Sequence, residues 1–223
     1  GLRYLEDARR IITEVDTADE AAAGINAEPR GHLSVTAPVL FGQMFVMPGI
    51  VEYLHRYPHT EVDAVFLDRV VNLIGEGMDV GVRIGELADS SMRALQVGSV
   101  RQILCASPDY LQTAGIPKAP SDLHGHSIIS SRAGSASHEW KFTSKEGERS
   151  VGLKPRLKVT TNDAAISAAM EGFGITRLLS YQVAPQLEKG TLKILLENFE
   201  APSLPINIVH REGRLASTKA RAF

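Results

Sequence analysis

The chain has 223 residues, 43% of them hydrophobic, which is enough to bury one large core or two modest ones. A formal net charge of −2 gives it no general attraction for nucleic acid. No apolar run has the length of a signal sequence or approaches the roughly 20 residues of a membrane span, and the only cysteine, Cys105, cannot form an internal disulfide. We therefore expect a soluble, cytoplasmic protein of one or two domains.

The first segment of the chain has a helical pattern. Apolar residues recur at spacings of three and four through residues 2–24, with charged residues between them. This pattern predicts an amphipathic helix whose narrow apolar stripe needs a partner surface. Gly24 and the sequence PRG at 29–31 interrupt it, which places a connector at residues 25–31.

Strand-like and helix-like segments alternate after the connector, an order that predicts a β-α-β-α-β unit with a parallel sheet. Pro48 lies inside the first of these helices. Because proline has no N–H, the helix either begins its regular part there or is kinked. The expected elements are strands at 33–37, 61–67 and 78–83, a helix at 41–57 and a short helix from Val70.

A second α/β unit begins at Gln102. Ser107 can cap a helix that has Pro108 in its first position, and Thr161 opens another helix that Gly172 ends. The expected strands are 102–106, 127–130, 157–160, 175–178, 193–196 and 206–209, together with a hairpin that pairs 140–143 with 150–153.

Two successive α/β units predict two Rossmann-like lobes. Ligands of open α/β sheets bind beyond the carboxyl ends of the strands, so we expect the ligand in a cleft between the lobes. The predicted organisation is residues 1–30 as a helix with its connector, residues 31–101 and 206–223 as lobe I, and residues 102–205 as lobe II.

Five sequence segments resemble motifs of one protein family. Their order and spacing are similar to those of the effector-binding domain of LysR-type transcriptional regulators, in the form typical of one large subgroup. The segments are GHLSVTAP at 31–38, Pro48 with YLHRYP at 53–58, MDVGVRIG at 78–85, CASPDYL at 105–111 and GFGI at 172–175.

The resemblance implies a fold and a function. The fold would be of the type 2 periplasmic-binding-protein class, with residues 1–30 as the end of a linker helix. The function would be to sense a small organic anion and to control transcription through a winged helix-turn-helix, which residues 1–223 do not contain. It further implies no cofactor and a homodimer, or a tetramer of full-length chains.

The resemblance also implies a set of effector-binding residues in loops at strand ends. In lobe I these are Pro38, Val39 and Leu40 after the first strand, Asp68 after the second, and Arg83. In lobe II they are Ser131, Arg132, Thr161, Asn162 and Thr176.

Physical reasoning supports part of this set. Thr161 and Asn162 begin a helix, where free N–H groups and the helix dipole favour a carboxylate, although such residues also serve simply as caps. Arg83, Arg132 or Arg177 could clamp the same anion, but an ion pair within the protein is the more frequent role of such residues.

The same resemblance predicts a dimer in which the helix at 41–57 packs against the region 62–74 of the partner. Apolar residues of that region would form the contact, because apolar patches of this size rarely stay exposed on monomers. They are Val65, Leu67, Val71 and Ile74.

Other functions have weaker support. A solute-binding protein for transport of a small anion would share the two-lobed fold and is the main alternative. His124 and His126 lack a third ligand placed by the sequence, so no metal site is expected. Cys105 lies within a predicted strand and is expected to be a small core residue. No nucleophile with its base and no phosphate-binding loop is found, so we do not expect an enzyme.

Overall fold

The computed structural model describes Tyr4 and residues 28–87, 92–131, 139–144, 147–211 and 217–223. The predicted helix at 2–24 lies outside the described residues, apart from Tyr4, which has helical geometry. The chain divides into two compact units, one of Gly1–Val97 with Ile206–Phe223 and the other of Gly98–Pro205. No helix in the described part of the chain is long and apolar enough to cross a membrane.

The described strands of the first unit are β1 Gly31–Ala37, β2 Thr60–Phe66, β3 Val80–Ile84, β4 Met92–Val100 and, near the end of the chain, β12 Leu204–Arg211. They form one sheet in the order β2-β1-β3-β12-β4. β1 pairs in parallel with β2 and with β3, which confirms the predicted parallel arrangement, whereas β12 pairs antiparallel with β3.

The helix that follows β1 is irregular at its start. A short helix α1, Val39–Phe41, continues through a π-helical segment, Gly42–Val46, into the regular helix α2, Met47–Arg56. Pro48 occupies the first turn of α2. A proline there cannot donate a hydrogen bond to the preceding turn, so the regular helix begins beside it, as one of the two predicted alternatives requires.

The short helix predicted from Val70 is wrong. Residues 73–77 form turns instead. Glu76 accepts hydrogen bonds from the guanidinium of Arg69 (Nη1–Oε1 2.8 Å) and from the backbone N–H of Asn72 (3.0 Å). Gly77 adopts φ +69°, which most residues avoid. These contacts close the turn where a helix would have continued.

The described strands of the second unit are β5 Gln102–Ala106, β6 Ile128–Ser131, β7 Glu139–Ser144, β8 Gly147–Gly152, β9 Leu157–Val159, β10 Ile175–Leu179 and β11 Lys193–Leu195. Their sheet has the order β11-β5-β10-β6-β9, and β7 and β8 form a separate hairpin. β10 pairs antiparallel with β5 and parallel with β6, and β6 pairs in parallel with β9.

Two helices of the second unit start where the sequence predicts, those that follow Ser107 and Thr161. The Oγ of Ser107 accepts a hydrogen bond from the N–H of Tyr110 (3.3 Å), so Ser107 is the predicted cap. The α-helices are α3 Pro108–Ala114, α4 Asn162–Met170 and α5 Ala184–Glu188; α6, Thr218–Ala222, belongs to the first unit. The described part of the second unit also contains three 3₁₀ segments, Pro120–Gly125, Ser180–Val183 and Glu197–Phe199.

Each unit has a buried apolar core of its own. In the first, Leu33 and Val35 of β1 pack with Ile50 and Tyr53 of α2. In the second, Leu104, Leu123 and Ile175 pack with Trp140 and Phe142 of the hairpin. The predicted hairpin is confirmed, but its pairing is shifted from the predicted segments: Trp140 pairs with Val151, and the second strand starts at Gly147 rather than at residue 150.

Candidate functional site

Four of the residues that the resemblance assigned to the site lie near the end of β1: Pro38, Val39, Leu40 and Asp68. Pro38 lies between β1 and α1, and the N–H of Val39 donates to Oδ1 of Asp68 (3.1 Å). Leu40 follows in α1 and is half-buried. Asp68 therefore binds the first turn of the helix. Because a carboxylate repels an anion, Asp68 is poorly suited to bind an anionic ligand directly. Its hydrogen bond to Val39 instead fixes the position of the loop at Pro38.

Arg83 is held by the backbone of its own unit. Its Nη2 donates to the carbonyl of Val71 (2.6 Å) and its Nη1 to that of Val82 (3.2 Å). Burial lowers the pKa of the guanidinium. The side chain thus anchors the irregular segment before the turn at 73–77, and among the described residues it forms no close ion pair of the kind favoured from the sequence.

Two hydroxyl residues of the second unit lie at the same edge of its sheet. Ser131 is the last residue of β6 and pairs with Val159, the last residue of the parallel strand β9. Thr161 follows two residues later and caps α4, its Oγ1 accepting from the N–H of Ala164 (3.3 Å). The capping role is thereby confirmed. The hydroxyl of Thr161 still has an O–H to donate, and its side chain is exposed.

Asn162 begins α4 and is half-buried, so the predicted pair of residues stands at the positive end of the helix. The N–H groups of the first turn that Thr161 does not satisfy lack helical partners. Thr161 and this helix end offer hydrogen-bond donors to a negatively charged group, and Ser131 lies at the end of the neighbouring strand β6.

Thr176 has a different environment. It is fully buried in β10, and its Oγ1 has no hydrogen-bond partner among the described residues. Thr36 in β1 shares both properties, and the sequence analysis did not single it out. A buried hydroxyl without a partner costs free energy, so both threonines are of interest. The available sequence signal was a polar residue inside an apolar strand.

The remaining residues considered in the sequence analysis are Arg132, His126 and Cys105. Arg132 lies outside the described residues. His126 bonds through Nδ1 to the hydroxyl of Tyr110 (3.1 Å), and no three His, Cys, Asp or Glu residues in the described part of the chain are grouped to hold a metal ion. Cys105 is fully buried and burial raises its pKa to about 12, as expected of a core thiol.

The fold shows the general class of protein to which the chain belongs. Two α/β units, each with its own sheet, are the type 2 periplasmic-binding-like arrangement, and the chain superposes on the regulatory domain of CrgA, a LysR-type transcriptional regulator from Neisseria meningitidis, with a TM-score of 0.75. That match has 27% identity and covers 87% of this chain and 96% of the CrgA chain. Full-length AphB of Vibrio cholerae, at 24% identity, has the same fold with a TM-score of 0.78, covering 100% of this chain and 76% of the AphB chain.

The family follows from the sequence matches. The family model of the LysR substrate binding domain matches residues 26–223, and the chain belongs to this family. A transcriptional regulator of Xanthomonas campestris is 30% identical over 100% of this chain and 66% of its own length. An uncharacterised regulator of Haemophilus influenzae is 28% identical over 96% of this chain and 74% of its own. These relatives are regulators of transcription, which fits a protein that is not an enzyme.

Proposed function

We propose that this domain senses a small organic anion, with a carboxylate as its recognised group. The observation that carries the proposal is the placement of Ser131 and Thr161 at the ends of two neighbouring parallel strands, beside the N-terminus of α4. Strand ends of open α/β sheets are the usual ligand positions, and a helix N-terminus favours negative charge. Within the first unit, the loop at the end of β1, formed by Pro38, Val39 and Leu40, is apolar and would suit the carbon part of an organic acid.

Sensing requires two states of the domain with different affinities for the anion. A ligand that bound both states equally would leave their populations unchanged, however tightly it bound. We propose that the favoured state acts on a DNA-binding part outside these 223 residues, in the cytoplasm. Residues 1–223 should then have no specific affinity for DNA.

Removal of the two hydroxyls should weaken binding of small carboxylates. Thr161→Val and Ser131→Ala should each cost about 0.5–1.5 kcal/mol, a few-fold to tenfold in affinity, because each removes a hydrogen bond to the anion. Isothermal titration calorimetry with a panel of small carboxylates measures the effect. Unchanged affinity in both variants, for a carboxylate that binds the parent, would place the site elsewhere.

Two further variants test whether the loss is specific to the hydroxyl of Thr161. Thr161→Ser keeps the hydroxyl that accepts from Ala164 and should bind as well as the parent to within about twofold. Thr113→Val changes the same residue type on α3, where the hydroxyl bonds to the carbonyl of Tyr110 (3.0 Å), and should leave affinity unaltered. Equal losses in Thr113→Val and Thr161→Val would indicate a general effect on stability.

We also propose that the domain forms a homodimer through the first unit. Apolar side chains project into solvent from the π-helical segment and α2, with Met44, Met47 and Val51 spaced to share one face and Phe45 beside them. The sequence prediction included Val71, which is wrong, because Val71 is only 2% exposed. Val70 at 85% and Ile74 at 51% exposure are the apolar surface residues of that region.

The dimer should be disrupted by a charge on this face. Phe45→Glu with Val51→Glu should convert a dimer into a monomer at about 50 µM, since burying two unpaired carboxylates costs several kcal/mol. Sedimentation equilibrium measures this. Ile116→Glu, at an exposed apolar residue of the second unit, is the control and should remain dimeric. A monomeric parent at that concentration would contradict the proposal.

A further inference from the structure

A row of cations lies along β9 and the residues just before it, at one of the two outer strands of the second unit's sheet. Lys154, Arg156 and Lys158 are all exposed, whereas the residues between them are half-buried. Between Glu148 and Asp163 the chain has four basic residues and no acidic one, although its formal net charge is −2. We call Lys154, Arg156 and Lys158 the β9 cation row.

Arg156 is held in place by partners that carry no charge. Its Nη1 donates to the Oγ of Ser127 (3.0 Å), and its Cζ lies 5.5 Å from the centroid of the Phe173 ring. No carboxylate in the described part of the chain pairs with any member of the β9 cation row. The guanidinium is therefore pre-organised, and its remaining N–H donors suit a phosphate.

The centre of the row lies apart from the site proposed for the effector. The N–H of Arg156 donates to the carbonyl of Ile128 (2.9 Å), the first residue of β6, so Arg156 stands where the parallel strands β6 and β9 begin. Ser131 and Thr161 stand where the same two strands end. A partner that contacts the row can therefore bind while the effector is bound.

A linear polyanion is the partner that suits a row of this kind. Two residues of extended chain span about 6.6 Å, and duplex DNA has one negative charge per about 1.7 Å of its axis, so each cation of the row can meet a phosphate. This inference rests on the proposed function, which places a DNA-binding part outside these 223 residues. A duplex held by that part has a high effective concentration near this domain, so even a weak contact contributes.

We propose that the β9 cation row contacts the phosphate backbone of duplex DNA without reading its sequence. The net charge of the chain repels DNA, so any affinity must come from a local surface of opposite sign. Charged residues on an outer strand also prevent its pairing with another sheet. That role alone gives no salt-dependent affinity for DNA, and this difference is measurable.

Fluorescence anisotropy of a labelled duplex, titrated with residues 1–223, measures the contact. With a duplex of roughly 20 base pairs at about 25 mM potassium chloride, we expect a dissociation constant on the order of 10⁻⁴ M. A second duplex of unrelated sequence should bind equally, within about twofold, because phosphates carry no sequence information. Three phosphate contacts predict a slope of about −2.7 for the logarithm of the association constant against that of the salt concentration.

Variants of the row test the assignment. The combination of Lys154→Gln, Arg156→Gln and Lys158→Gln should weaken binding by about tenfold or more and bring the salt slope close to zero. Arg156→Lys keeps the charge and should bind within about threefold of the parent. Urea unfolding followed by fluorescence of Trp140, the only tryptophan, shows whether each variant is folded.

The matched control removes the same charge from the second unit elsewhere. It combines Lys118→Gln, Lys189→Gln and Lys193→Gln, all at exposed side chains. Lys193 lies in β11, the outer strand at the other side of the same sheet. This variant should bind the duplex within about threefold of the parent, because a local contact depends on where the charge lies and not on its total.

Three results would overturn the proposal. The first is no change in anisotropy at a protein concentration of roughly 0.5 mM, and the second is an equal loss of affinity in the row variant and its control. The third is tighter binding of polyglutamate than of the duplex, lost in the row variant, since that would assign the row to an acidic protein. The carboxylate titrations described above use no DNA, so they report separately on the proposed function.

Discussion

Gly174→Ala is expected to destabilise the second unit by about 2–4 kcal/mol, combining overpacking with a lost hydrogen bond. A Cβ at Gly174 would lie 2.2 Å from the carbonyl oxygen of Ser127 and 2.9 Å from its carbonyl carbon. Both are backbone atoms, which cannot turn away as a flexible side chain does. The same carbonyl accepts from the N–H of Ile175 (2.9 Å), so relief of the clash separates the start of β10 from β6.

Urea unfolding followed by Trp140 fluorescence measures this effect, because the only tryptophan lies in the second unit. Gly125→Ala is the matched control. A Cβ there meets nothing within 4 Å, so the change should be within about 0.5 kcal/mol. Equal midpoints for Gly174→Ala and the parent would show that the strand start tolerates the shift.

The glycine motif at 172–175 illustrates what the sequence predicts well. Gly172 was expected to end α4, and it has φ +76° with its N–H bonded to the carbonyl of Ala169 (3.2 Å). Helix starts at Ser107 and Thr161 were predicted for the same reason, since caps depend on residues within four positions of one another. Local hydrogen bonding of this kind can be inferred from sequence alone.

The sequence analysis did not predict β4, because buried and exposed residues do not alternate along this strand. Arg93, Leu95 and Val97 are all exposed, as are Ala94 and Gln96 between them, so apolar residues do not mark an inward face. Strand prediction depends on that alternation. The strand exists through its pairing in the sheet beside β12, which is a contact distant in sequence.

The sequence predicted where two of the candidate residues lie in the fold, and it predicted their contacts less well. Ser131 lies at a strand end and Thr161 at a helix start, the positions at which the sequence analysis had placed them. The partners of Arg83 are carbonyls, whereas the sequence favoured an ion pair as the more frequent role of such an arginine. One of these carbonyls, that of Val71, lies in a segment that was expected to be helical. Arg177 and Thr176 are adjacent in sequence but face opposite sides of the sheet, a distinction that needs the strand register.

Leu33→Ala is expected to lower the free energy of unfolding of the first unit by about 2–5 kcal/mol, through lost burial and the cavity left behind. Leu33 is fully buried and packs in the core that joins β1 to α2. It also lies in β1, which ends at Ala37 just before Pro38, so the loop there should lose order with the strand. Hydrogen exchange of the β1 amides measures the effect in this unit, which has no tryptophan.

The control is Leu95→Ala, which makes the same change in β4 of the same sheet at a side chain that is 62% exposed. It should alter stability by no more than about 0.5 kcal/mol, because little apolar area returns to water. Faster exchange at Val35 and Ala37 in Leu33→Ala alone would show that the core beneath β1 supports the Pro38 loop. Equal exchange rates in both variants would mean that β1 is held by its pairing with β2 and β3 rather than by Leu33.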